Sequence, residues 1–84
     1  MSVLAELLKM LDETLVLEGR GLRLRADSPL AGAVPELDSM GVMAIVTAAE
    51  ERWGISVDDE EIDGEVFATV GSLQAFLQRK IDGA

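Results

Sequence analysis

The sequence predicts an all-α fold, a small four-helix bundle with a long loop between the first and second helices and a short third helix. Apolar residues recur at the helical period of about 100° per residue in three separate stretches. Gly19, Gly21, Pro29, Gly32 and Pro35 abolish that period through residues 19–36. No two segments alternate apolar and polar residues so as to pair as strands. With Trp53, Phe67 and Phe76 as the aromatics, the expected core consists of Leu, Val, Ile and Ala.

The first helix is expected from Ser2 to about Leu17, because Leu4, Leu7, Leu8, Leu11 and Leu15 share one side while Glu6, Lys9, Asp12 and Glu13 lie away from it. The loop that follows contains Leu22, Leu24, Leu30, Val34 and Leu37, which are expected to tuck over the bundle and pin it. Leu22 and Leu24 alternate with Arg23 and Arg25, but no second alternating segment exists to pair with them. With Arg20, these arginines form the one basic patch, suited to solvent or to an acidic partner.

The second helix is read from Ser39 to Trp53. Asp38 and Ser39 are good helix-starting residues, since a side-chain oxygen there can accept from a first-turn amide, and Pro35 forbids an earlier start. Val42, Ile45, Val46, Ala49 and Trp53 fall in one sector, the expected buried stripe. Met40 and Met43 fall with Ala44, Thr47 and Glu51 on another side. Gly54 is a natural left-handed stop. Ile55 and Val57 then return to the core. The run Asp58-Asp59-Glu60-Glu61 lacks the alternating ligand register and mid-loop glycine of a calcium loop, so no metal site is expected and a solvated acidic loop is. Asp63 can cap a short turn of helix ending in Phe67 as an apolar plug. Thr69 can cap a last helix in which Val70, Leu73, Phe76, Leu77 and Ile81 are buried, Arg79 and Lys80 suit the negative end, and Gly83 closes the element.

A chain of 84 residues is expected to form a single domain, residues 1–84, able to fold as a monomer. It contains no Cys, His or Tyr, which removes disulfides, thiolate chemistry and the usual nucleophile and base pairs; an enzyme is not expected, and no catalytic residue is assigned. Charged residues interrupt the N-terminal apolar run, so neither a signal peptide nor a membrane span is expected, and the cytoplasm is the default compartment. Between Ala26 and Gln78 stand eleven acids against one base, so most of the net charge of −9 surrounds Ser39. That field repels nucleic acid and steers basic protein surfaces toward the molecule.

On these residues alone, Ser39 has two readings. It can be a helix cap whose hydroxyl is spent on its own backbone, or an exposed attachment point beside a docking surface of pliable methionines. Asp38-Ser39-Met40, the exit Trp53-Gly54-Ile55, the acidic run that follows and Phe67-Ala68-Thr69-Val70-Gly71-Ser72-Leu73 together resemble the acyl carrier protein family over nearly the whole chain.

The resemblance implies that Ser39 carries a 4′-phosphopantetheine arm taken from coenzyme A, whose thiol holds acyl groups as thioesters. It implies that Asp38 belongs to the motif both as a cap and as a contact in the modifying enzyme, and that Met40, Met43, Thr47, Glu50 and Glu51 face partners. Those partners would be a phosphopantetheinyl transferase and acyl-loading and acyl-transferring enzymes with basic docking surfaces, in fatty-acid, polyketide or a related specialised biosynthesis. Glu36 stands where the family commonly has glycine, and Gly41 and Ala44 replace frequent acids, which points toward a dedicated partner set. The alternative from another class is a small acidic helical adaptor that binds proteins through the Met40 and Met43 surface without a cofactor.

Overall fold

The computed structural model describes residues 3–83. Its α-helices are α1 (Val3–Thr14), α2 (Ser39–Trp53) and α3 (Val70–Gly83), joined through two 3-10 turns at Arg20–Arg23 and Asp59–Glu61. Among the described residues the one extended pairing is an isolated antiparallel bridge between Pro29 and Thr69. None of the described helices is long and apolar enough to cross a membrane.

The all-α architecture agrees with the sequence pattern, but the count of four helices does not. The short helix expected over Asp63–Phe67 is a turn. Asp63 Oδ1 accepts from the amides of Glu65 and Val66, each at 3.0 Å, so the cap expected at Asp63 forms, but the turn it opens is not continued. The carbonyls of Phe67 and Ala68 accept from Ala31 and Leu30 instead of from residues ahead of them. Phe67 is nevertheless the buried plug the sequence suggests.

Helix α1 ends at Thr14, short of the expected Leu17, and its expected start at Ser2 lies outside the described residues. The Leu17 amide donates to the Asp12 carbonyl at 2.9 Å, closing the helix with Val16 in the left-handed region at φ 53°. Leu7, Met10 and Leu11 are buried on the helix, and Leu15 and Leu17 are buried beyond it, whereas Leu4 and Leu8 pack at the edge. Asp12 Oδ1 then accepts from the amides of Gly19 and Gly21, at 2.8 and 3.0 Å, so the 3-10 turn seats its glycine side on α1. That seating puts Leu22 outside, 59% exposed, and corrects the expectation that it tucks over the bundle.

The rest of the long loop is pinned as expected. Leu30 and Leu37 are buried, and Leu24 and Val34 pack against the core. The loop is also stitched by backbone to the start of α3: Leu30 donates to Ala68, Ala31 to Phe67, Val70 to Ser28 and Gly71 to Ala26, at 2.7 to 3.0 Å. A Cβ on Gly71 would stand 2.8 Å from the Ala26 carbonyl oxygen, so the close approach requires glycine.

The acidic run is not wholly solvated. Asp59 and Glu60 are exposed, but the Glu61 carboxylate accepts from the Asp58 amide at 3.0 Å and pairs with Lys80 Nζ of α3 at 2.9 Å. These contacts, the amide first and the ammonium second, hold the Glu61 carboxyl below its ordinary value. Helix α2 stops where expected, with Gly54 at φ 63°.

Candidate functional site

The site is built at the start of α2. Leu37 is buried and anchors the approach, and Asp38 follows in extended conformation. Asp38 Oδ1 accepts from the Gly41 amide at 2.8 Å, and the Asp38 carbonyl accepts from Val42 at 2.8 Å. The cap is thus supplied by Asp38. Ser39, the first helical residue, is exposed, and its hydroxyl makes no hydrogen bond among the described residues. Of the two readings open on the sequence, the cap whose hydroxyl is spent does not occur.

Gly41 fixes where this tip sits. It is buried, and a Cβ there would lie 2.5 Å from the Glu36 carbonyl oxygen and 3.2 Å from Leu15 Cδ2. Gly41 therefore serves as the joint between α2 and the end of α1. Beside the joint, Arg20 of the 3-10 turn donates to Leu17's carbonyl at 3.0 Å and pairs with the Glu36 carboxylate. The Arg20 hydrogen bond is the main cause that holds the Glu36 carboxyl below its ordinary value. Glu36 Oε1, the other oxygen, is buried without a hydrogen-bond partner.

The helical phase read from the sequence holds. Ile45, Val46 and Ala49 are buried, with Val42 and Trp53 half-buried. Met40 is 81% exposed and Met43 is 49% exposed, on a surface shared with the exposed residues Ala44, Thr47 and Glu51. Glu51 lines a groove between α1 and α2 together with Glu13 and Arg52. Glu50, expected to face partners, is half-buried and its Oε2 accepts from the Val57 amide at 2.9 Å. After Gly54 the chain turns back along α2 and the Val57 amide has no helical acceptor, so Glu50 closes the turn.

An unengaged hydroxyl at the first position of a helix can act as a nucleophile toward a phosphoryl centre brought by another protein. The positive end of the helix dipole then favours the phosphoester that forms. Sequence reasoning missed the Arg20 to Glu36 pair and the Gly41 joint. The partners of the first stand sixteen positions apart, and the second is visible only once α1 and α2 are packed.

No protein-family model matches the chain. The solution NMR structure of a holo acyl carrier protein from Nitrosomonas europaea superposes with a TM-score of 0.88 at 43% sequence identity, over 98% of this chain and 99% of that one. With that identity across both chains, and with the Asp38-Ser39-Met40 motif standing at the tip of α2, the chain belongs to the acyl carrier protein family.

Proposed function

We propose that this chain is an acyl carrier whose Ser39 hydroxyl takes a 4′-phosphopantetheine arm from coenzyme A. The observation that carries the reading is the division of labour at the start of α2: Asp38 takes the cap, and Ser39 is left exposed and unengaged. In the modification, Ser39 Oγ attacks the phosphorus that bears the pantetheine, a serine phosphoester forms, the pyrophosphate bond of coenzyme A breaks and adenosine bisphosphate leaves. The modifying transferase supplies the metal ion and the base that takes the hydroxyl proton. When attached, the arm supplies a thiol that holds acyl groups as thioesters.

The chain's own residues present that arm. Asp38 holds the helix start and offers its remaining carboxylate oxygen toward the transferase's site. Met40, Met43, Thr47 and Glu51 make the surface on which acyl-loading and acyl-transferring enzymes dock, with Glu51 as the acid for a basic rim. The replacement of common acids by Gly41 and Ala44 supports a dedicated partner set in a specialised pathway, polyketide biosynthesis among them, over general fatty-acid synthesis. The carrier acts as a single domain over residues 1–84, as a monomer in the cytoplasm.

Co-expression with a broad-specificity phosphopantetheinyl transferase tests the reading by intact mass. The wild type is expected to gain about 340 Da and Ser39→Ala none, with the helical signal unchanged. A wild type that never gains mass, or a modified Ser39→Ala, overturns it.

A further inference from the structure

Among the described residues, four large apolar side chains stand in solvent: Met40 at 81%, Val16 at 69%, Leu22 at 59% and Met43 at 49% exposure. Two belong to α2 and two to the corner that follows α1. The corner abuts the site, since Leu15 touches the Gly41 joint and Arg20 pairs with Glu36, three residues ahead of Ser39.

Val16 adds a second observation. A β-branched residue at φ 53° crowds its own carbonyl at a cost in backbone strain, and glycine is the usual occupant of this position after a helix. The side chain does not recover that cost by burial within the domain. Strain and apolar exposure thus coincide at one residue, which directly follows the Leu15 that packs against Gly41.

This corner concentrates bases in a chain that is acidic overall: three arginines stand here beside the exposed acids Glu18 and Asp27. Arg20, Arg23 and Arg25 are exposed here, and Arg23 and Arg25 enter no ion pair among the described residues. The exposed acid Glu51 lies toward the far end of α2. A protein that brings its active site to Ser39 covers roughly 800 Å² of its target, enough to take in both the first turns of α2 and the corner.

We infer that Val16, Leu22 and the flanking arginines form a second contact surface for the transferase that modifies Ser39, continuous with the Met40 and Met43 face. The matching patch on that enzyme has an apolar centre, an acidic side chain opposite Arg23 and Arg25, and a basic one opposite Glu51. The inference rests on the carrier reading of Ser39.

The test is the rate at which the phosphopantetheinyl transferase loads purified apo protein, read by intact mass, with a thermal melt of each variant. Val16→Gly relieves the strained backbone and removes the contact. It is expected to melt at or above the wild-type temperature and to load about five- to tenfold more slowly in kcat/KM. Leu22→Ser is expected to load similarly slowly with an unchanged melt, and Arg23→Glu to raise KM with an effect that fades as salt rises. In ¹⁵N spectra, transferase added without coenzyme A should shift amides 16–24 together with those of 40–47. Wild-type loading rates for Val16→Gly and Leu22→Ser, with amides 16–24 unmoved, overturn the inference and leave the carrier reading intact. A lower melting temperature for Val16→Gly overturns it too, because the side chain would then serve the fold. A wild type that never gains mass overturns both readings.

Discussion

Helices α2 and α3 both begin with a serine in the first turn, and the two serines have opposite fates. At α3, Ser72 Oγ accepts from the Thr69 amide at 3.0 Å while Thr69 Oγ1 accepts from the Ser72 amide at 3.0 Å. The Ser72 hydroxyl has two carbonyls within reach as acceptors, those of Val66 and Thr69, each 2.9 Å from its Oγ. At α2, Asp38 performs the capping alone and Ser39 keeps its hydroxyl. The residue type is the same, and its neighbours decide whether it is a structural fastener or a reagent. A cap placed one residue before the serine frees it; a cap that needs the serine's own oxygen consumes it.

The largest effect that sharpens this contrast lies along α2 itself. Val46→Glu places an unpaired charge in the core and is expected to abolish the cooperative melt, whereas Met43→Glu is expected to fold with a change within about 0.5 kcal/mol and to load at least about tenfold more slowly. If Met43→Glu unfolds as well, the methionine side is core and the docking surface lies elsewhere. Next in size is the comparison of the two serines. Ser72→Ala removes one acceptor and one donor from a half-buried network and is expected to cost about 2 kcal/mol in urea unfolding, against under about 0.5 kcal/mol for Ser39→Ala. Equal costs would break the comparison.

The smallest effect is in pH. The Glu61 carboxyl titrates below its ordinary value in the folded chain, so its contribution is full above the ordinary glutamate range and fades as the pH falls through the lowered value. The melting temperature of the wild type should therefore exceed that of Glu61→Gln at neutral pH, and the gap should close on acidification. A gap that stays constant would mean that the amide of Asp58 and Lys80 hold the side chain by shape and not by charge.

Much of α2 was legible in the sequence. Pro35, Asp38 and Gly54 are local signals, and they set both ends of the helix and the exposure of Ser39 without reference to any distant residue. The apolar period gave the buried side of α2 and α3 for the same reason. What could not be read depends on atoms brought together from afar. Glu50 has the composition of a solvated acid, and only the return of the chain after Gly54 gives it the Val57 amide to hold. The short helix expected near Phe67 is lost because Phe67 and Ala68 spend their carbonyls on Ala31 and Leu30, partners that local propensity cannot see. Leu22 is apolar and looks like core; the glycine side of its turn, seated on Asp12, sends it to solvent.

The stitch between the long loop and the start of α3 has a kinetic meaning. Leu30, Ala31, Val70 and Gly71 lie at loops or at a helix tip, where amide protons ordinarily exchange with solvent as fast as local fraying allows. Here each donates across the chain to a segment more than thirty-five positions away, so exposing any one of them requires the loop and the approach to α3 to part together. Their exchange then reports a shared opening, and the segment with the least regular structure in the molecule moves as part of the same cooperative unit as its last helix.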